Sequence, residues 1–465
     1  MPNYSNVQFI AWEIYTGPVY SSGAADHYQG IARAEGDRRW DVLSQCLDIS
    51  ARVEFTRLAM EAAYQAADPD TNTLKIFMAP EFLYRGAAGA YLYDLLNGWS
   101  SSPSKEQEKD FGELPKYYKE NWGGLFGELR ALAADPRFQD WVFIFGTAVG
   151  AAFSCVKGRV AMDDTGLRKE PGAGWNLAMV QCGGTNRMGD GCYFVEKHLK
   201  SGIDFVHFNR THAEARFFTQ EEMKHGSEPT WRVLDRLIQH IPGEQGGSAF
   251  RFPDVCKSDG SPLQFGLEIC LDHARAYEGM ESREQVTGRL ARGKMLVDIQ
   301  LVPSCGLWLI PSSLALAPKD GPKDRSYAFN CDGLITRDSN DPWLDGTLSG
   351  HVYLWSGSAL PGEGNPPQVL ENVIDSFAAP GHIPVSGTVD LSRIQVPAES
   401  LQALQVDLSQ IRAGQLWRSH DAFPLGGNSG QYPWPGGAGF VRALPPRPLA
   451  APQPPAETDE ADGAV

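Results

Sequence analysis

The sequence predicts an α/β (α+β) fold. Two observations carry the prediction: a series of short apolar runs of strand length, and longer helical patterns lying between some of them. A third permits it, since 465 residues with 42% hydrophobic content can bury one large core or two of ordinary size.

Taken in order, VQFIAWEI (7–14) reads as a first strand. RWDVLSQCLDISARVEFTRLAMEAAYQAA (39–67) follows with Leu, Val and Ala at helical spacing. LKIFMA (74–79) is a strand closed by Pro80, which lacks a ladder donor. GGLFGELRALAA (123–134) is a second helix, ahead of strands WVFIFG (141–146), WNLAMV (175–180) and CYFVE (192–196). FGLEIC (265–270) alternates apolar Phe265, Leu267 and Ile269 with Gly266, Glu268 and Cys270, the period of a strand. The stretch after Ala276 is charged and helical in composition. LVDIQLV (296–302), HVYLW (351–355) and VSGTVDL (385–391) complete the strands, and no internal repeat is visible. Residues 98–120 and 317–346, polar or rich in Pro, Gly, Asp and Asn, read as insertions. A main domain over 1–412 is expected to give way to a Gly/Pro-rich extension over 413–443. Residues 444–465 read as a disordered tail, too poor in apolar residues to order themselves.

Charge and cysteine usage narrow the function. A net charge of -16 with no basic cluster argues against nucleic acid as a partner. The N-terminus lacks a basic stretch followed by a long apolar run, so no secretory signal is expected. No apolar stretch approaches bilayer-spanning length, so no membrane partner is expected. The cysteines at 46, 155, 182, 192, 256, 270, 305 and 331 form no CxxC, which suggests reduced thiols in the cytoplasm. His207, His212 and Glu214 lie close together, but their spacing matches no metal signature, and neither metal nor cofactor is expected.

Three residues stand at the carboxyl ends of apolar strands. Glu81 follows LKIFMAP, Lys197 follows CYFVE, and Cys270 ends FGLEIC near a strand-to-helix turn, where a helix N-terminus favours a thiolate. Singly, each has an ordinary reading: a solvated acid, a surface lysine, an inert core cysteine.

Together, in the stretches MAPEFLYRG, VEKHLKSGIDF and FGLEICLDHA, they resemble the nitrilase superfamily of carbon–nitrogen hydrolases. The resemblance covers roughly residues 6 to 412, with VQFIAWEI, WNLAMV and VSGTVDLSRI as matching strands. It implies a four-layer α-β-β-α sandwich and a homodimer or higher homo-oligomer. It also implies Cys270 as nucleophile, Glu81 as general base and acid, and Lys197 beside the oxyanion, with the Leu271 N–H as a second donor. Lys200 is the competing lysine. The family's second glutamate after the lysine is absent here; Asp204 is the nearest acid and Glu214 a weaker candidate. Asp272 is expected to anchor the turn, and Tyr84, His273, Cys305 and Trp308 to wall the pocket. Leu271-Asp272 after the cysteine leans towards a small amide or carbamoyl substrate. Nitrile hydrolysis by the same residues, or an inactive protein of this fold that serves as an interaction platform, are the alternatives.

Overall fold

The computed structural model describes residues 3–14, 16–17, 42–86, 89–105, 114, 116–153, 155–156, 159–160, 172–185, 191–199, 204, 217–218, 247–274, 288–317, 325–333, 352–357, 368–373, 387–388 and 440–449. Its principal strands are β1 (Asn6–Glu13), β2 (Thr73–Met78), β3 (Trp141–Phe153), β4 (Gly172–Cys182), β5 (Cys192–Glu196), β6 (Phe265–Leu267), β7 (Ile299–Ser304), β8 (Tyr327–Asp332), β9 (Val352–Ser356), β10 (Gln368–Val373) and β11 (Phe440–Ala443). The helices used below are α1 (Val42–Ala66), α2 (Gly124–Ala133), α3 (Leu271–Ala274) and α4 (Arg289–Arg292).

The strands form two main sheets. In the larger, β11, β1, β2, β3, β4 and β5 lie side by side in that order. In the smaller, the order is β6, β7, β8, β9, β10. The two sheets share one scheme. β1–β2–β3 and β6–β7–β8 are parallel runs. The next two pairings, β3–β4–β5 and β8–β9–β10, are antiparallel. A repeat that the residues do not display is therefore present in the topology.

Alternation along β1 explains the layering. Val7, Phe9 and Ala11 enter a core shared with β6, β7 and β8, while Ile10, Trp12 and Ile14 enter a second core beneath α1 and α2. A strand covered on both faces is apolar on both over its covered stretch, as β1 is over residues 9–12 and β2 over residues 76–78. Across the inner core the Phe9 ring meets that of Phe329 at 5.0 Å. On the outer side Trp12 packs edge-on against Phe55 of α1 at 5.1 Å. Nearly every residue of the first half of α1 is buried, so it lacks the polar stripe of a surface helix. Leu290 of α4 packs over the outer face of the smaller sheet with Val302 and Ala328.

Three expectations are corrected. The stretch 317–346 is not simply an insertion: it contains β8, whose six residues are all buried between β7 and β9. Its Pro, Gly, Asp and Asn neighbours hid the short run YAFNC. The sheet also continues past residue 412, and residues 444–449 are not a tail. β11 pairs with β1, Arg447 and Pro448 pair with Val7 and Asn6, and Leu444 and Leu449 are buried. A proline is tolerated there because the segment is short and peripheral. FGLEIC is strand only to Leu267.

In the expected insertion 98–120, the Trp99 N–H donates to the Trp122 carbonyl at 2.8 Å, and the Tyr118 and Ser50 hydroxyls meet at 2.8 Å on α1. Residues 106–113, most of the stretch after Ala276, most of the 413–443 extension and residues 450–465 lie outside the described residues. No helix among those described is long and apolar enough to cross a membrane.

Candidate active site

The carboxyl ends of β2, β5, β6 and β7 meet at one place, and loops from both sheets are tied together there. The Glu81 N–H donates to the Ser304 carbonyl, and that of Cys270 to the Pro303 carbonyl at 3.1 Å. Behind Glu81, β3 breaks register between Ile144 and Thr147. Gly146 occupies the break with φ of 72°, and a Cβ there would lie 2.1 Å from the Pro80 carbonyl oxygen. Only glycine lets β3 approach the proline loop this closely. The bulge brings Thr147 Oγ1 to the Phe82 N–H at 2.8 Å and so fixes the loop carrying Glu81.

Lys197, immediately after β5, turns inward. Its Nζ donates to Glu81 Oε1 at 2.8 Å and to Asp204 Oδ2 at 2.9 Å and Oδ1 at 3.0 Å. All three side chains are almost wholly buried. Lys200 lies outside the described residues. Asn176 of β4, not singled out as a site residue from the sequence, bridges the two acids, with Nδ2 donating to Glu81 Oε1 at 2.8 Å and to Asp204 Oδ1 at 3.0 Å. Its signal was available: a lone amide inside an apolar run has to find polar partners once buried.

Electrostatics follow from this packing. Burial pushes the Glu81 carboxyl up to about 7; Lys197 pulls it down and Asp204 pushes it further up. Burial alone would lower the Lys197 pKa, but Asp204 and Glu81 outweigh it and hold the ammonium well above the usual lysine range. Cys270 has φ of 47°, unusual for a residue with a side chain, and is 6% exposed. Burial and the Glu81 charge drive its thiol well above the ordinary cysteine value, while Lys197 and a backbone hydrogen bond from Cys305 oppose them. The thiol in turn favours the ionised form of Glu81 by hydrogen bonding. At rest the proton belongs on sulfur, with a carboxylate of near-neutral pKa beside it to take it. Leu271 opens α3, so its N–H precedes the first intrahelical acceptor.

The Asp272 side chain, expected to hold its own turn, instead ties down the loop after β5. It accepts from the Leu199 N–H at 2.8 Å and the His198 N–H at 2.9 Å, which holds the segment after Lys197, and Arg289 lies 3.2 Å away. Burial raises its carboxyl to about 6 against the pull of Arg289 and these two amides.

Two expected pocket walls face elsewhere. His273 is fully buried; its Nε2 accepts from the Ile310 N–H at 3.0 Å, so Nδ1 carries the proton donated to Glu268 at 2.7 Å. Both ring nitrogens are committed, and the residue braces the fold. The Tyr84 hydroxyl meets Thr56 Oγ1 on α1 at 2.6 Å, which turns the ring into the outer core. Closeness in sequence to Glu81 or Cys270 did not reveal these directions. Cys305 is buried and Trp308 is 56% exposed. His207, His212 and Glu214 lie outside the described residues.

No known family and no curated protein matches the sequence. Among solved structures the chain is similar to Saccharomyces cerevisiae Nit3, described as a member of branch 10 of the nitrilase superfamily. The identity is 13%, with 81% of this chain and 94% of that one covered and a TM-score of 0.30. It is also similar to a carbon–nitrogen hydrolase from Helicobacter pylori G27, at 12% identity, 79% and 85% coverage and a TM-score of 0.29.

Proposed function

We propose that this protein is a thiol hydrolase of the nitrilase type that cleaves a non-peptide carbon–nitrogen bond of a small amide or carbamoyl compound. The observation that carries the reading is the buried contact of Lys197 with Glu81 and Asp204 at 2.8–3.0 Å, with the Cys270 thiol against the same carboxylate. As Sγ attacks the carbonyl carbon, Glu81 takes the thiol proton. The new oxyanion is stabilised by the Lys197 charge and the Leu271 N–H. Glu81 then protonates the nitrogen, the C–N bond breaks, and amine leaves a thioester on Cys270. A water gives its proton to Glu81 and attacks the thioester, and the returning proton regenerates the thiol as the acid departs. Asp204 is the second carboxylate, keeping Lys197 charged when Glu81 is neutral. Cys305 and Trp308 remain candidates for the pocket wall.

The layering of helices and two sheets fits a four-layer α-β-β-α sandwich, and the same reading makes the protein a homodimer in the cytoplasm. The test is amine or ammonia release from a panel of amides, carbamoyl compounds and nitriles. Wild type should turn over an amide or carbamoyl substrate, and Cys270→Ala should abolish it. Cys270→Ser should be nearly as inactive, because a hydroxyl yields its proton far less readily than a thiol. Full activity of Cys270→Ala on any substrate the wild type cleaves would end the proposal.

A further inference from the structure

Phe82 follows the proposed base directly, and its backbone is left-handed, with φ of 66°. A residue with a Cβ occupies that region at an energetic cost and persists there only when its surroundings hold it. Phe82 is held at both ends. Its N–H donates to Thr147 Oγ1, and its ring is 1% exposed. The ring has two cations over it: the Arg85 guanidinium carbon at 4.3 Å from the centroid and Lys197 Nζ at 5.3 Å. An aromatic face attracts a cation within about 6 Å, most strongly where water is excluded. Arg85 is itself tied to the Thr16 carbonyl at 2.8 Å, and the Thr16 hydroxyl donates to the Glu81 carbonyl, so ring, cation and base share one frame.

We propose that Phe82 is a positioning residue for Lys197, its ring face holding the ammonium where the oxyanion forms. The proposal rests on the functional reading above. In that reading Glu81 becomes neutral as it takes the thiol proton, and its hold on Lys197 weakens while the oxyanion is being born. The ring does not titrate. Its attraction is the same in both proton states of Glu81, which keeps the lysine from being pulled out of register by the step it assists. An ordinary core phenylalanine needs only bulk; this one needs the electron density of its face.

That difference is testable without a known substrate. Phenylalanine analogues with one and three ring fluorines, installed at position 82, drain the face progressively while nearly keeping its shape. The readout is the rate of Cys270 alkylation by iodoacetamide against pH, with the half-exposed Cys182 as internal reference and thermal melting as the folding control. The rate should fall stepwise, by about tenfold with three fluorines, and the midpoint should move to higher pH as Lys197, held less firmly, favours the ionised form of Glu81 less. Phe82→Tyr should keep the wild-type rate, and Phe82→Leu should behave like the trifluorinated protein. Folded fluorinated and Leu proteins with the wild-type rate and profile would overturn the role of Phe82 alone. If Cys270 of the unmodified protein reacts no faster than Cys182, the functional reading falls and takes this role with it.

Discussion

Asp204→Asn removes a charge from the site while preserving its shape, and the structure fixes the expected size of the effect. Glu81 Oε1 and Asp204 Oδ1 lie 2.8 and 3.0 Å from the same Asn176 nitrogen, so the two oxygens are less than about 6 Å apart. At an effective dielectric of about 20, two like charges about 6 Å apart repel by about 3 kcal/mol, equivalent to about 2 pH units. Burial and this repulsion together hold the Glu81 carboxyl near 7 against the pull of Lys197. Without the Asp204 charge the ionised form of Glu81 is easier to reach, so its pKa falls. The acidic limb of Cys270 alkylation by iodoacetamide, which follows ionisation of this base, should move down by about 1–2 pH units. At about pH 8, where Glu81 is ionised in both proteins, the variant should react about tenfold more slowly, because a weaker base accepts the thiol proton less readily. An acidic limb that stays in place or moves up would show that Asp204 does not act on Glu81.

Two further outcomes test the reassigned residues. His273→Ala should lower stability by about 2–4 kcal/mol, measured by urea unfolding, because Glu268 and the Ile310 amide each lose a buried partner; the folded fraction should alkylate Cys270 at the wild-type rate. Ending the chain at 449 should leave the melting temperature unchanged. Ending it at 439 removes Arg442 from the buried Glu13 and should cost about 3–5 kcal/mol or more in the same unfolding assay.

How much of this could be read from the sequence depends on distance along the chain. β1, β2 and β5 were legible because alternating or continuous apolar runs end there in a polar residue, and the same pattern drew attention to Glu81, Lys197 and Cys270. Asp204 is the nearest acid after the lysine in the sequence, and in the fold it lies 2.9 Å from Lys197 Nζ. Asn176 was visible as a strand residue but not as a bridge, since its two partners lie 95 and 28 residues away. β8 was hidden by the loop chemistry around it, and β11 by the proline-rich run that follows it. The left-handed backbone at Phe82 and Cys270 leaves no compositional trace: the tertiary frame imposes it on residues that would not choose it. Side-chain direction was equally silent, so Tyr84 and His273 were assigned to a pocket from which their hydrogen bonds turn them away.

The pairing of β11 with β1 also bears on how the protein is made. β1 leaves the ribosome long before its neighbour on that edge, which follows some 430 residues later. Until then one side of the larger sheet is an open edge, the kind of surface on which unfinished chains stick to one another. Glu13 sits at the end of that edge. Before Arg442 arrives its carboxylate places a negative charge at the edge, which favours water there and discourages a foreign strand from docking. When β11 comes in, the same carboxylate meets the guanidinium and is sealed from water. One side chain thus guards the nascent sheet and then serves as the clasp that closes it.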